Sequence, residues 1–414
     1  MYWLSFEYFH YSWELDYPWL NLGYGFAAWC DLIQWYEYTG LQGGTLWVLL
    51  VNILITHHLL LYRKNKETIY LKKLFFRVLP LITIPIIISI VIKNIYKETA
   101  RPIDVVVVQP NIDPYNEKFG GMSSNDQLNK ILTLAAQKTD QQTDYVVCPE
   151  TALPEGIWEH DLQQHPHIVA IRNFLKPFPR LHFVTGLTSS RMYHTATAPT
   201  KTARKFPDSD AFYDSYNTGM QLENDTLIQL HHKSKLVVGV EKVPFTGLFG
   251  FFEKFAIDLG GASGSLGTQD TPTVFRSSIA NVAPVICYES IFGEYIGEYI
   301  KQGAQAIFII TNDGWWNDTP GYKQHCQYAR LRAIETRRDI LRSANTGISC
   351  FIDQLGNITQ PTKWWVPAVI RQKMQLNDEL TFYTRHGDYL GRIAAIGSIV
   401  FLLFTLINWL KKYS

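Results

Sequence analysis

The 414-residue chain is short of charge: Asp, Glu, Lys and Arg make up 18% of it, against about a quarter in ordinary globular chains. Nor is it rich in Gly or Pro, with 27 and 19, and 47% of it is hydrophobic. Disordered, low-complexity and collagen-like chains are thereby excluded. Neither sign of charge dominates, since 38 basic side chains stand against 37 acidic ones; a nucleic-acid binder would show a basic excess. The sequence has no HExxH and no Cys/His ligand grid, although His160, His165 and His167 lie close together, so no metal and no other cofactor is predicted. It also lacks a basic start leading into an apolar core and a small-residue cleavage site, so no signal peptide is predicted.

What the chain does have is apolar sequence gathered at its two ends. Residues 44–62 (GTLWVLLVNILITHHLLLY) and 393–410 (IAAIGSIVFLLFTLINWL) carry no charge, and residues 74–92 carry only Arg77. Each run is near the ~20 residues a helix needs to cross a bilayer, and none has a polar face. The mean hydropathy of −0.06 is too low for a chain embedded throughout, so a few spans attached to a water-soluble part are predicted. The connector between the first two spans holds Arg63, Lys64, Lys66, Lys72 and Lys73 against Glu67, and the last span ends in Lys411 and Lys412. Short basic loops stay in the cytoplasm, which puts residues 101–389 on the other side. Residues 1–43 are aromatic but interrupted by Glu7, Glu14, Asp16 and Asp31; they read as interfacial or partly embedded helix plus loop. The predicted organisation is a membrane part over 1–100, an extracytoplasmic domain over 101–389 and a C-terminal span over 390–414.

Within 101–389, β-rich runs at 103–109, 145–148, 181–185, 227–231, 282–287 and 306–311 alternate with helix-like stretches at 123–139, 167–175, 292–302 and 322–338. That alternation predicts an α/β architecture with helices covering sheets. The polar 188–214 stretch reads as a mobile loop, and GGASGSLG at 260–267 as a flexible insert without the strand and helix context of a phosphate cradle.

Three polar groups stand at the ends of these strands: Glu150 after YVVC, Lys233 within HHKSK, and Cys287 followed by Tyr288 and Glu289. Taken singly, a capping Glu, a solvated Lys and a packed Cys are ordinary. In combination they are not. A Cys at a strand's exit, before a helix, has the layout of a nucleophile whose following N–H points at a developing oxyanion. A neighbouring Lys and a base raise the reactive thiolate fraction of a Cys.

The order Glu, Lys, Cys at strand ends resembles the nitrilase superfamily. PETALPE (149–155), HKSKLVVGVEKVPF (232–245), ICYES (286–290), TNDGWW (311–316) and QHCQYARLRAIETRRDILRSANTGIS (324–349), with IQWYEYTGLQGGTLWVLLVN before them (33–52), resemble its membrane-bound branch, the apolipoprotein N-acyltransferases. The resemblance implies a nitrilase-like αββα sandwich inserted between transmembrane α-helices of the inner membrane, facing the periplasm. It implies a ping-pong acyltransferase with Glu150 as general base, Lys233 as oxyanion partner assisted by the Tyr288 N–H, and Cys287 as nucleophile. Glu241 would position Lys233, and Glu289 would support the nucleophile. The implied acyl donor is a phospholipid such as phosphatidylethanolamine, and the acceptors are diacylglyceryl-modified apolipoproteins. No cofactor is implied. Relatives of this kind carry further spans ahead of the segment that opens here at Met1, and a Trp in the loop after the first strand, where this chain has Tyr115 and Phe119. Trp315, Trp316, Trp364 and Trp365 are candidates for an interfacial rim. The competing reading is another membrane-tethered amidase or acyltransferase of the nitrilase type. Four of the five cysteines fall within 101–389; with Cys287 required as a thiol, no disulfide is predicted.

Overall fold

In the strand β1 (Pro102–Gln109), four successive valines leave no polar face. Side chains alternate along a strand, so Val105 and Val107 enter one apolar core while Val106 and Val108 enter another. The strand β10 (Ala306–Thr311) does the same, sending Phe308 and Ile310 one way and Ile307 and Ile309 the other. Strands apolar on both faces must be covered on both faces. The computed structural model, which describes residues 1–98, 100–225, 227–245 and 265–413, shows how.

Two sheets stack face to face. One has the order β14-β1-β2-β4-β6-β5, with β3 on β4 and β7 on β6; the other runs β13-β12-β11-β10-β9-β8. Their remaining members are β2 (Tyr145–Val147), β3 (Leu153–Trp158), β4 (His182–Tyr193), β5 (Arg204–Lys205), β6 (Phe212–Leu222), β7 (Ile228–His232), β8 (Phe275–Arg276), β9 (Asn281–Ile286), β11 (Ile340–Ala344), β12 (Cys350–Ile352), β13 (Ile358–Thr359) and β14 (Ala368–Gln375). Val105, Val107, Val147, Val184, Ile286, Phe308 and Leu341 fill the space between the sheets. On the outer face of the first sheet lie two helices, Ser124–Ala136 and α5 (Pro166–Leu175), packed through Leu128, Ile131, Ile168 and Ile171. Gly293–Lys301 and α7 (Pro320–Thr336) cover the second through Ile296, Tyr299, Ala329 and Ala333. This is the αββα sandwich that the sequence implied.

Among the described residues, three helices are long and apolar enough to cross a membrane: α2 (Tyr36–Asn65), α3 (Ile69–Ile95) and α9 (Tyr389–Tyr413). Phe75, Phe76, Ile84 and Ile87 of α3, and Ile396, Phe401, Leu402 and Phe404 of α9, are exposed on the protein surface, as side chains facing lipid must be. The first span begins eight residues before the apolar run because its opening turns pack on protein rather than on lipid, with Tyr36, Gly40 and Leu41 buried. Gly40 kinks it at φ 60°, and the ring of Tyr383 lies 2.2 Å from where a Cβ would stand.

One further reading needs correction. The 188–214 stretch is not one mobile loop. β4 extends to Tyr193 and pairs with β6 from Phe212, and its Ser and Thr hydroxyls are satisfied across the ladder by Ser189–Thr218 and Ser190–Ser215 contacts of 2.7 and 3.2 Å. Residues 11–36 pack as a collar on the globular part: Tyr24 stacks on Tyr328 of α7 at 4.0 Å, and the Trp19 indole donates to Gln324 at 2.8 Å. The expected insert at 260–267 lies largely outside the described residues.

Candidate active site

Each chemical group stands where a strand has just run out. β2 ends at Val147, and two residues of extended chain later Glu150 turns inward; Thr151 follows at φ 50°. The turn lies so close to β4 that a Cβ on Gly186 would meet the Thr151 nitrogen at 2.4 Å, so only glycine fits there. Lys233 follows β7 directly, and its N–H donates to the Asn217 carbonyl of β6 at 2.8 Å.

The side chains converge. The Lys233 ammonium donates to Glu150 Oε1 at 3.0 Å and to Glu241 at 2.9 Å. The Asn217 amide donates to the same two carboxylates at 2.8 and 2.9 Å, and the Asn312 backbone N–H to Glu150 Oε2 at 2.9 Å. Burial works to raise the Glu150 pKa, but the Lys233 charge and the Asn217 hydrogen bond outweigh it and hold it below the usual carboxylate value. Burial likewise opposes the Lys233 charge, and the Glu150 and Glu241 carboxylates overcome it, so the lysine stays protonated.

Cys287 follows β9 in the left-handed region at φ 49°, a conformation that costs a non-glycine residue roughly 1–3 kcal/mol and is found at functional turns. It is therefore not the last residue of the strand, as the apolar run suggested, but the elbow after it. The elbow is held by its own carbonyl, which accepts from the Ser290 hydroxyl at 2.7 Å and from His325 Nε2 at 3.1 Å. His325 is in turn fixed by Arg342, whose guanidinium also forks onto Asp313 at 2.9 and 2.7 Å. Burial pushes the Cys287 thiol well up, Glu150 adds to that, and Lys233 offsets only part. Burial and Glu150 thus favour the thiol form of Cys287, where a nearby lysine alone would favour the thiolate.

Of the supporting residues, Glu241 contacts the Lys233 ammonium directly. Tyr288 and Glu289 do not line the site with their side chains. The Tyr288 hydroxyl donates to the Asp16 carbonyl at 3.0 Å, tying the elbow to the N-terminal collar. Glu289 is fully buried and accepts from the Ser234 and Ile286 N–H groups at 2.7 and 2.9 Å. It clamps the loop carrying Lys233 to the strand carrying Cys287, and neighbouring His231 keeps its pKa low despite burial.

Asn217 and Lys118 were not visible in the sequence. Lys118 comes from the 110–121 loop, is 4% exposed, and donates to the Glu150 carbonyl oxygen at 3.1 Å. Burial drives its pKa down to about 8, against the pull of Glu150 and Cys287. A single Lys in a polar loop reads as solvated, and Asn217 is one polar residue in an alternating strand, so neither carried a signal. Of the four tryptophans, Trp315 is exposed and holds Tyr115 and Phe119 against its ring at 5.3 and 6.2 Å. Trp316 turns inward onto Trp19, and Trp364 stacks on Tyr322.

A buried Glu–Lys–Glu array facing a Cys elbow on an αββα sandwich defines a class, and the comparisons agree with it: the carbon-nitrogen hydrolase model matches residues 105–379. The chain belongs to the carbon-nitrogen hydrolase family. Residues 1–54 match the model of the apolipoprotein N-acyltransferase N-terminal domain. The similar curated proteins bear that same name. The one from Chlorobaculum tepidum is 29% identical, over 93% of this chain and 72% of its own length. That from Geobacter metallireducens is 25% identical, over 96% and 72%. The one from Agrobacterium fabrum is 38% identical, over 76% of this chain and 56% of its own.

Proposed function

We propose that the protein is an apolipoprotein N-acyltransferase that moves a fatty acyl chain from a phospholipid to the N-terminal α-amine of S-diacylglyceryl-cysteine in lipoproteins. The observation that carries this reading is the Glu150–Lys233–Glu241 array beside Cys287 on a chain with three membrane-length helices: both substrates are lipid-anchored, and a soluble amidase needs no spans.

Because the thiol form is favoured, deprotonation and attack are coupled. Glu150, held as a carboxylate, takes the Cys287 proton as Sγ bonds to the donor's ester carbon. The carbonyl π electrons move onto oxygen, where the Lys233 ammonium and the Tyr288 backbone N–H stabilise them. Collapse of this intermediate breaks the ester C–O bond, and Glu150 returns its proton to the departing lysophospholipid oxygen. The acceptor amine then attacks the thioester, Glu150 takes an amine proton, and the C–S bond breaks with the sulfur reprotonated. Lys118 adds a second buried ammonium, so two carboxylates face two ammonium groups and no net charge is buried before reaction.

The donor to test first is phosphatidylethanolamine, the phospholipid that the sequence resemblance implies. Detergent-solubilised protein is expected to gain a hydroxylamine-labile fatty-acyl mass from it, and to lose that mass to a diacylglyceryl-cysteine peptide. Acyl-enzyme that the peptide fails to discharge would refute the acceptor. The basic connector and the Lys411–Lys412 end support a catalytic domain on the periplasmic side of the inner membrane. Protease is expected to reach residues 101–389 only from that side; cleavage from the cytoplasmic side would overturn the orientation.

A further inference from the structure

Away from the reacting groups, Glu155 of β3 meets His165 and His167 at the start of α5. One donor atom from each lies within 4.8 Å of the other two. Glu155 Oε1 is 3.6 Å from His165 Nε2 and in closer contact with His167 Nδ1. On the far side of the His167 ring, Nε2 pairs with Asn125 Oδ1 at 2.9 Å. An amide oxygen only accepts, so Nε2 carries the hydrogen and the neutral ring presents a lone pair at Nδ1. That lone pair faces a carboxylate oxygen, and neither atom has a hydrogen-bond partner of acceptable geometry. Two acceptors held face to face, beside a histidine only 4% exposed, call for a positive charge between them, either a proton or a metal ion.

We propose that Glu155, His165 and His167 form a His2Glu site for a divalent transition metal of the zinc class, with water as the fourth ligand. Neutral imidazole and carboxylate are the ligands that zinc takes in three-residue sites with one open position. The Asn125 contact is the outer-shell hydrogen bond that fixes a ligating ring. His165 and Glu155 remain partly exposed, which leaves the ion a way in. No metal-ligand motif marks the site in the sequence, because Glu155 lies ten residues before His165 and on another element. The bound ion would join β3, which leaves the Glu150 turn, to α5 and to the helix that holds Asn125.

The test uses the full chain in detergent, purified through a tag without histidine, stripped with EDTA and titrated with Co2+ and then Zn2+. One Co2+ per chain is expected, with the intense visible bands of tetrahedral coordination, bleached by one Zn2+. His165→Ala and Glu155→Gln, both at partly exposed positions, are expected to weaken binding at least ~10-fold, and Asn125→Ala by about 10–100-fold. No cobalt uptake, which is the behaviour of a plain His–Glu ion pair, would overturn the site; so would unchanged affinity in the Glu155→Gln and His165→Ala variants. The readout needs no acyl transfer and stands apart from the catalytic reading.

Discussion

Cys287→Ala is expected to leave the chain with no fatty-acyl adduct after incubation with phosphatidylethanolamine, under conditions where the wild type gains one hydroxylamine-labile chain by intact mass. The effect should be complete because Cys287 is the cysteine that has both Glu150 and Lys233 acting on it. All five cysteines are buried free thiols. Burial alone pushes the Cys148 thiol far up, and burial raises that of Cys30 to about 12. Cys326 of α7 faces Cys350 of β12 at 3.9 Å, a contact that lowers the pKa of the Cys326 thiol and raises that of Cys350. The variant should also keep its fold. The elbow is held through the backbone carbonyl by Ser290 and His325, and alanine meets the same left-handed strain as cysteine at that position. An acyl-thioester that survives in Cys287→Ala, with an unchanged melting temperature, would remove the nucleophile from the mechanism.

The parts of this molecule legible in its sequence are those where a residue type is forced by a single physical demand. Uncharged runs of membrane length read as spans because lipid tolerates nothing else, and doubly covered strands such as β1 and β10 read as strands because both faces are apolar. Glu150, Lys233 and Cys287 stood out because each polar group interrupts such a run at its end. What stayed hidden was decided by partners distant in sequence. The Ser/Thr-rich ends of β4 and β6 look like loop until the hairpin pairs their hydroxyls. β12 and β13 are too short and β14 (AVIRQKMQ) too polar to announce themselves. Lys118 is buried only because Glu150, Gln127 and the Phe119–Trp315 contact draw its loop inward; the Gln127 amide donates to the Lys118 carbonyl at 2.8 Å. Glu289 was picked out by its place beside the nucleophile, yet its carboxylate works on the backbone of two other segments. The packing of the aromatic collar stayed hidden because Trp and Tyr suit either a bilayer surface or a protein groove, and composition does not choose between them.

Lys233→Met is expected to lower kcat by about two to three orders of magnitude, with little change in KM for the phospholipid. Removing one oxyanion partner costs roughly 3–4 kcal/mol in comparable sites, and the oxyanion exists only in the transition state, so the loss falls on kcat. Methionine fills a similar volume with no charge, leaving Glu150 and Glu241 joined only through Asn217. Without the ammonium between them the two carboxylates repel, the Glu150 pKa rises, and the general base is partly lost as well. Lys118 does not substitute, because its ammonium is spent on the Glu150 carbonyl rather than the carboxylate. A buried ion pair broken on one side destabilises by about 3–5 kcal/mol, so the melting temperature must be read alongside the rate. Glu241→Gln supplies the comparison: it keeps an oxygen acceptor for Lys233 and should slow the reaction less. If folded Lys233→Met forms acyl-enzyme within tenfold of the wild-type rate, Lys233 is a structural counter-ion to Glu150 and the oxyanion must be held by backbone N–H groups alone.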